Sequence, residues 1–259
     1  AVQGIYRAKG RPDNNPLIVH VPGLQEAQTL AEFSPEAQEL ATQHWPGPLT
    51  LVLPRKAGAQ LAPAVTAGLP TLALRAPAHA AMRALLELCD FPLAAPSANR
   101  SGFISPTCAQ HVAASLDGRI DLILDGGPCE TGLESTIIAV REDGTQDILR
   151  PGALFADASV AETGAGIEAP GQLSRHYAPG KPVRLSAQTP ADDEYMIGFG
   201  SITGDCNLSE KGDLAQAARQ LYACLHLCAL ANAPKIAVAP IPESGIGVAI
   251  NDRLRRAAR

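Results

Sequence analysis

The sequence predicts an α/β chain in two parts: a larger domain of mixed strands and helices, then a small parallel-sheet domain. Two observations carry this. Over residues 1–155, β-rich runs alternate with amphipathic helical stretches, the mark of an α/β or α+β domain. Toward the C-terminus the order becomes β-α-β-α, which a parallel sheet with helical crossovers explains. Between them the texture changes to Gly, Ala, Pro and isolated charges without a sustained period, which reads as a linker. The predicted division is a domain over 1–155, a linker over 156–181 and a small α/β domain over 182–259.

The elements follow in order. Residues 1–7 read as the tail of a helix. Residues 16–21 form a short β-rich run, and Ser34-Pro35 then opens a helix toward Trp45, serine as N-cap and proline at the first helical position. Residues 48–53 and 71–74 read as strands, and 78–89 as an amphipathic helix. The apolar run 91–95 ends in the loop chemistry of Pro96-Ser97-Ala98-Asn99, and Ser105-Pro106 is expected to start the next helix as Ser34-Pro35 does. Strands are predicted over 121–124, 135–140 and 146–150. In the second part, strands over 195–199 and 235–241 flank a helix over 213–231, and a last helix spans 247–258. The long helix places Leu214, Ala218, Leu221, Leu225 and Cys228 on one face.

Composition narrows the function. The chain has 259 residues, 46% of them hydrophobic, so a sizeable core is available; aromatics are only 4%, so aliphatic side chains must build it. A formal net charge of −5 argues against general nucleic-acid coating and leaves room for a local basic pocket. No apolar run approaches the roughly 18 residues of a membrane span. Six scattered cysteines suit reduced thiols and a cytoplasmic location better than a disulfide framework.

Three segments carry candidate chemistry. In Lys9-Gly10-Arg11-Pro12-Asp13-Asn14-Asn15-Pro16, two cations flank a glycine and two prolines fix the loop, a pairing suited to phosphate oxygens; a solvated basic turn is the alternative. In the stretch from Ala95 to Thr107, hydroxyls and an amide follow an apolar strand, where ligands of open α/β sheets tend to sit; a polar loop with Ser105 merely capping a helix is the alternative. Third, Gly132-Leu133-Glu134-Ser135-Thr136 and Leu149-Arg150-Pro151-Gly152 frame two adjacent strands. Singly, Ser135, Arg150, Arg75 and His20 read first as structural or solvated residues.

Other signals fail. The sequence has no Gly-x-x-x-x-Gly-Lys-Ser/Thr loop, no Gly-x-Gly-x-x-Gly after a strand and no Gly-x-Ser-x-Gly. Cys224, His226 and Cys228 do not make a metal site on a helix, because the two cysteines share a face and His226 points away. Arg253, Arg255, Arg256 and Arg259 read as a basic helix end that complements the helix dipole.

Taken together, KGRPDNNPLIVH, WPGPLTLVLP, TLALR, APSANRSGFISPT, GLESTII, LRPGA, SRHYAP and GIGVAINDRLRRAA resemble the YrdC-type threonylcarbamoyl-AMP synthases in their longer two-domain form. The resemblance implies a twisted mixed sheet with a large concave, positively charged cavity, a linker crossing the active site and a small Rossmann-like C-terminal domain. The implied reaction joins L-threonine, bicarbonate or CO2, and ATP into threonylcarbamoyl-AMP and pyrophosphate. Motif by motif, it implies that Lys9, Arg11, Asn15, Thr71, Ser97, Asn99, Ser105, Arg150 and Tyr177 bind ATP. By the same match, His20, Arg75, the Ala95 backbone and Ser135 hold threonine. Lys9, Arg11 and Arg150 are the expected catalytic cations, with Mg2+ arriving with ATP and no protein-built metal site. Implied partners are ATP, L-threonine, bicarbonate and a downstream tRNA threonylcarbamoyl-transfer complex, with tRNA met only indirectly and no membrane. The family carries a Pro-Thr-Glu-Thr-Val-Tyr-Gly-Leu strand and loop before KGRP, so an upstream segment is expected. The competing readings are an RNA-binding module without catalysis, which the scarce aromatics disfavour, a carbamoyltransferase-related domain, which the lack of Cys-x-x-Cys pairs disfavours, and a noncatalytic sensor of ATP or threonine.

Overall fold

The computed structural model describes residues 1–155, 167–172 and 176–259. Ser174, Arg175 and most of the expected linker lie outside the described residues. The chain forms two compact units, the first of Ala1–Pro96 with Ser135–Leu173, the second of Ser97–Glu134 with Ser174–Arg259.

The first unit holds a six-stranded mixed sheet of β1 (Ile18–His20), β2 (Leu49–Pro54), β3 (Thr71–Arg75), β4 (Leu93–Ala94), β5 (Thr136–Val140) and β6 (Gln146–Arg150), in the order β4-β1-β3-β2-β5-β6. Strands β1 and β3 run parallel, as do β2 and β5, while β2 and β3 are antiparallel. Its helices are α1 (Val2–Lys9), α2 (Leu24–Leu30), α3 (Pro35–His44) and α4 (Ala80–Leu88). As expected, Ser34 caps α3, its hydroxyl accepting from the Ala37 N–H at 3.3 Å, with proline at the first helical position.

Alternation along the strands gives the sheet two unlike faces. One is apolar and covered: Val19, Leu51, Leu72, Leu74, Ile138 and Ile148 pack with Ala27 and Leu30 of α2 and Ala37, Leu40 and Ala41 of α3. The other carries a thin apolar patch, Ile18, Val52, Ala73, Ile137, Ala139 and Leu149. The positions two residues from these, on the same face, are polar: His20, Thr50, Thr71, Arg75 and Ser135.

The second unit is built on an all-parallel four-stranded sheet, β7 (Val183–Arg184), β8 (Glu194–Gly198), β9 (Cys206–Asn207) and β10 (Lys235–Val238), ordered β7-β10-β8-β9. Against it pack α6 (Leu214–Leu230) and α7 (Gly247–Ala257); α5 (Ala109–Leu116) belongs to the same unit. Asp213 caps α6, its carboxylate accepting from the N–H groups of Ala215 and Gln216. The buried stripe of α6 includes Ala218, Leu221, Leu225 and Cys228, as its period requires, while Leu214 is half-buried. His226 is rotated away from Cys224 and Cys228; it stacks on His111 at 3.7 Å and reaches the Ser105 carbonyl at 3.2 Å.

Several expectations are corrected. The helix after Ser105-Pro106 begins only at Ala109, and Ser105 does not cap it; its hydroxyl instead donates to Glu134 Oε1 at 2.6 Å. Residues 121–124 are not a strand; Leu122 is 80% exposed, so the run has no sheet to bury it. Two two-residue strands, β7 and β9, are too short to leave a periodic signature. Of the basic helix end, Arg255 and Arg256 lie in the last turn of α7, whereas Arg253 is 0% exposed, because Ile250, Arg253, Leu254 and Ala257 lie on its buried stripe.

Candidate active site

In the first unit, the polar face of the sheet gathers the candidate residues on both sides of β3. His20 and Arg75 are register partners at the C-terminal ends of the parallel strands β1 and β3. Thr71 lies at the other end of β3, four residues and about 13 Å away by strand rise. Ser135 just precedes β5, buried, its hydroxyl 2.7 Å from that of Thr50.

Arg150 reaches this face through an irregularity. The β5–β6 register shifts between Ile137 and Ile138, pairing Ile138 with Ile148 but Ile137 with Arg150, which makes Leu149 the extra residue. Regular alternation would place Arg150 with Ile148 on the helix-covered face. The bulge turns it to the open face instead. There the guanidinium donates from Nε and NH2 to the Ser135 carbonyl (3.1 and 3.0 Å), and from NH2 to the Ser135 hydroxyl (3.0 Å). The following turn is equally tight. A Cβ on Gly152 would lie 2.5 Å from the Thr136 amide nitrogen and 2.9 Å from its Cα. Gly152→Ala is therefore expected to lower stability by about 2–3 kcal/mol through overpacking against backbone; a urea melt with an unchanged midpoint contradicts this.

The KGRPDNNP loop presents a buried pair of cations. Arg11 donates from Nε to the Asn15 carbonyl (3.0 Å), and from NH2 to the Asn15 side-chain oxygen (2.5 Å) and the Pro16 carbonyl (2.7 Å). Its backbone is set by Gly10, at φ 60, which closes α1 in the left-handed conformation that glycine adopts without penalty. The Tyr6 hydroxyl braces the same loop from below, bonding the carbonyls of Asn15 and Ala64.

These cations crowd one another. Burial, then the Arg11 charge, pushes Lys9 down to about 7. Burial also lowers Arg11 to about 10; Tyr6 partly offsets this, and the Arg150 charge adds a smaller repulsion. Arg75 falls to about 10 from burial and the Arg150 charge. Among the described residues, no carboxylate pairs with Arg11 or Arg75; their bonds go to carbonyl and amide oxygens. Like charges held together out of water form a receptor for an anion. Burial and Arg75 also push His20 down to about 4, so its imidazole is neutral, and its Nδ1 is buried without a hydrogen-bond partner. The Asn15 amide nitrogen is in the same position. At Ala95 the N–H is spent on the Ile18 carbonyl at 3.1 Å.

The remaining candidates lie in the second unit. Asn99 closes its own loop, donating to the carbonyls of Arg100 and Phe103 and taking its N–H to the Ser97 carbonyl. Ser105 belongs to a network that the sequence did not reveal. The Glu134 carboxylate accepts from Ser105, from the Tyr222 hydroxyl at 2.9 Å and from Arg253 Nε at 3.1 Å. Tyr177, at φ 62, packs in this core beside His176 and Tyr222, with the Arg253 guanidinium 5.5 Å from its ring centre. The signal for Arg253 was present in its position on the apolar stripe of α7; nothing local marked Glu134 as its partner.

A mixed-sheet unit with a group of buried cations and a unit built on a parallel sheet define an α/β protein of two parts. Comparison with known proteins narrows the class. The Sua5/YciO/YrdC model, described as "Telomere recombination", matches residues 1–152, and the model described as "Threonylcarbamoyl-AMP synthase, C-terminal domain" matches 136–259. The threonylcarbamoyl-AMP synthase of Bacillus subtilis is 38% identical over 290 aligned positions, covering 100% of this chain and 83% of that protein. That of Pyrococcus abyssi is 37% identical over 291, covering 100% and 84%. The solved structure of P. abyssi Sua5 complexed with L-threonine matches at a TM-score of 0.88 and 36% identity, over 99% of this chain and 84% of that one. The chain belongs to the threonylcarbamoyl-AMP synthase family, in its two-domain form.

Proposed function

We propose that the chain joins L-threonine, bicarbonate or CO2, and ATP into threonylcarbamoyl-AMP by adenylyl transfer, releasing pyrophosphate. The threonine amine takes up CO2 as a carbamate. A carbamate oxygen attacks the α-phosphorus of ATP, and the bond to the bridging oxygen breaks as pyrophosphate leaves with its electron pair. No side chain is needed as a nucleophile, so positioning and charge neutralisation supply the catalysis. The observation that carries this reading is the group of mutually repelling cations Lys9, Arg11, Arg75 and Arg150.

Arg75 offers a planar fork to the threonine carboxylate. Neutral His20, with an unspent ring nitrogen, and Ser135 face the same substrate, with the Ala95 backbone beside them. Lys9, Arg11 and Arg150 draw charge from the phosphates, and the unspent Asn15 amide donates to the nucleotide. For Thr71, Ser97, Asn99, Ser105 and Tyr177, nucleotide contact is proposed on the motif match alone. The functional division proposed is a catalytic domain over 1–155, a linker over 156–181 and a C-terminal domain over 182–259. Mg2+ is proposed to arrive on the nucleotide, with phosphate oxygens as its main ligands. The product is proposed to pass, in the cytoplasm, to a complex that modifies the adenosine beside the tRNA anticodon, so that tRNA is met only indirectly. Among the described residues, no helix is long and apolar enough to cross a membrane.

Pyrophosphate release from ATP is expected to require both threonine and bicarbonate; release indifferent to threonine contradicts the reading. Arg75→Ala is expected to raise the threonine KM by about 10–100-fold, the worth of a charge-assisted hydrogen-bond pair, and to change the ATP KM far less. Equal effects on both substrates in steady-state assays would remove Arg75 from the threonine site.

A further inference from the structure

The second unit contains a group of three thiols that the reaction does not use. Cys206 opens β9, the edge strand of the four-stranded sheet, where it pairs with Ile197 of β8. Cys224 and Cys228 stand one turn apart on the buried face of α6. Cys206 is half-buried and packs against the core that contains both. Strand β9 packs on α6, and the Cys206, Cys224 and Cys228 thiols interact as one group with the Tyr195 hydroxyl of β8. All three cysteines are reduced.

We propose that these thiols form a modification site for a hydroperoxide, which oxidises Cys206 and Cys224 to a disulfide that ties the edge strand to α6. The geometry selects the pair. Two cysteines at i and i+4 on a helix hold their Cβ atoms about 5–6 Å apart, too far for the 3.5–4.5 Å of a disulfide without breaking the helix. A bond must therefore join the strand to the helix. Cys206 is common to both choices; Cys224 is the proposed partner, and Cys228, one turn on, is the alternative that the serine variants distinguish.

Exposure and acidity set the order of events. Cys224 and Cys228 are buried, so the oxidant meets Cys206 first. Hydrogen bonds from the two neighbouring thiols favour the Cys206 thiolate, outweighing burial and the adjacent Asp205, while the α6 thiols are pushed up and stay protonated. The Cys206 thiolate attacks the peroxide, forming an S–O bond as the O–O bond breaks and hydroxide, protonated to water, departs. The Cys224 sulfur then attacks the resulting sulfenic acid. The S–S bond forms, the S–O bond breaks, and the Cys224 proton leaves with the hydroxide as a second water. One peroxide is consumed and both sulfurs are oxidised by one electron each.

The test treats the folded, full chain with hydrogen peroxide, alkylates the remaining thiols and maps peptides by mass spectrometry without reduction. The expected result is a Cys206 peptide linked to the peptide bearing Cys224, lighter by two hydrogens than the sum of the two and released by dithiothreitol. Cys224→Ser is expected to move the link to Cys228, and Cys206→Ser to abolish it. Oxygen addition at Cys206 with no link, or a link only in chains first unfolded in urea, overturns the proposal. The wild-type map decides the matter even if a serine variant fails to fold.

Discussion

Arg150→Ala is expected to lower the rate of threonine-dependent pyrophosphate release by about 10²–10³-fold, the usual cost of removing one preorganised donor from developing charge. The expectation has two parts. Arg150 adds charge to the group that includes Arg11 and Arg75, so its loss weakens the pull on phosphate. It also clamps the carbonyl and hydroxyl of Ser135 with its fork, so its loss frees a residue proposed to touch threonine. Arg150→Lys separates the two. Lysine restores the charge but cannot make the bidentate grip, so it should recover only a small part of the rate. The alanine variant also loses four buried hydrogen bonds to Ser135 and Pro170, so a lowered melting temperature is expected beside the lost rate. Pyrophosphate release at saturating substrates, read beside a thermal melt, checks this. A lysine variant with full activity would show that charge alone matters and that the clamp is incidental.

The bulge that aims Arg150 also marks where sequence reasoning stops. The strand over 146–150 is legible, since its boundaries coincide with those of β6. Its face is not, because alternation from Ile148 would send Arg150 into the helix-covered core, and nothing in LRPGA announces an extra residue. The Ser34-Pro35 cap is legible because the partner N–H is three residues away, within reach of local rules. The same dipeptide at Ser105-Pro106 misleads, because a distant carboxylate, Glu134, captures the hydroxyl that would have capped. Local chemistry can propose a cap; it cannot see a competitor 29 positions away. His20 and Arg75 show the opposite case. Each alone reads as a strand end, but parallel pairing of β1 with β3 puts them in register, which converts two unremarkable ends into one edge of a site. The ordered set of motifs carries the family because it spans the chain, whereas the charge state of Lys9 depends on burial that no single motif encodes.

That charge state leads to the second large effect. Lys9 is held at about 7 by burial and by Arg11, well below its ordinary value of 10.5. The sign follows from which state holds the proton. Between about 7 and 10.5 the unfolded chain keeps Lys9 protonated while the folded, unliganded chain does not, so the unliganded fold gains stability as pH rises through that window. Below it both states are charged, and the cost of burying the ammonium is fully present. A bound phosphate reverses the preference by supplying the counterion, which raises Lys9 and draws in a proton. At about pH 8, ATP binding is therefore expected to take up close to one proton, and at about pH 6 almost none. Titration calorimetry in two buffers of different ionisation enthalpy measures this directly. Lys9→Met should abolish the uptake and lower kcat/KM for ATP by about 100-fold. Uptake that persists in the methionine variant would place the titrating group elsewhere, and a variant with normal kcat/KM would remove Lys9 from the phosphate site. Because the free enzyme loses the Lys9 proton as pH rises, kcat/KM for ATP in the wild-type chain should fall above about 7, a limb that Lys9→Met lacks.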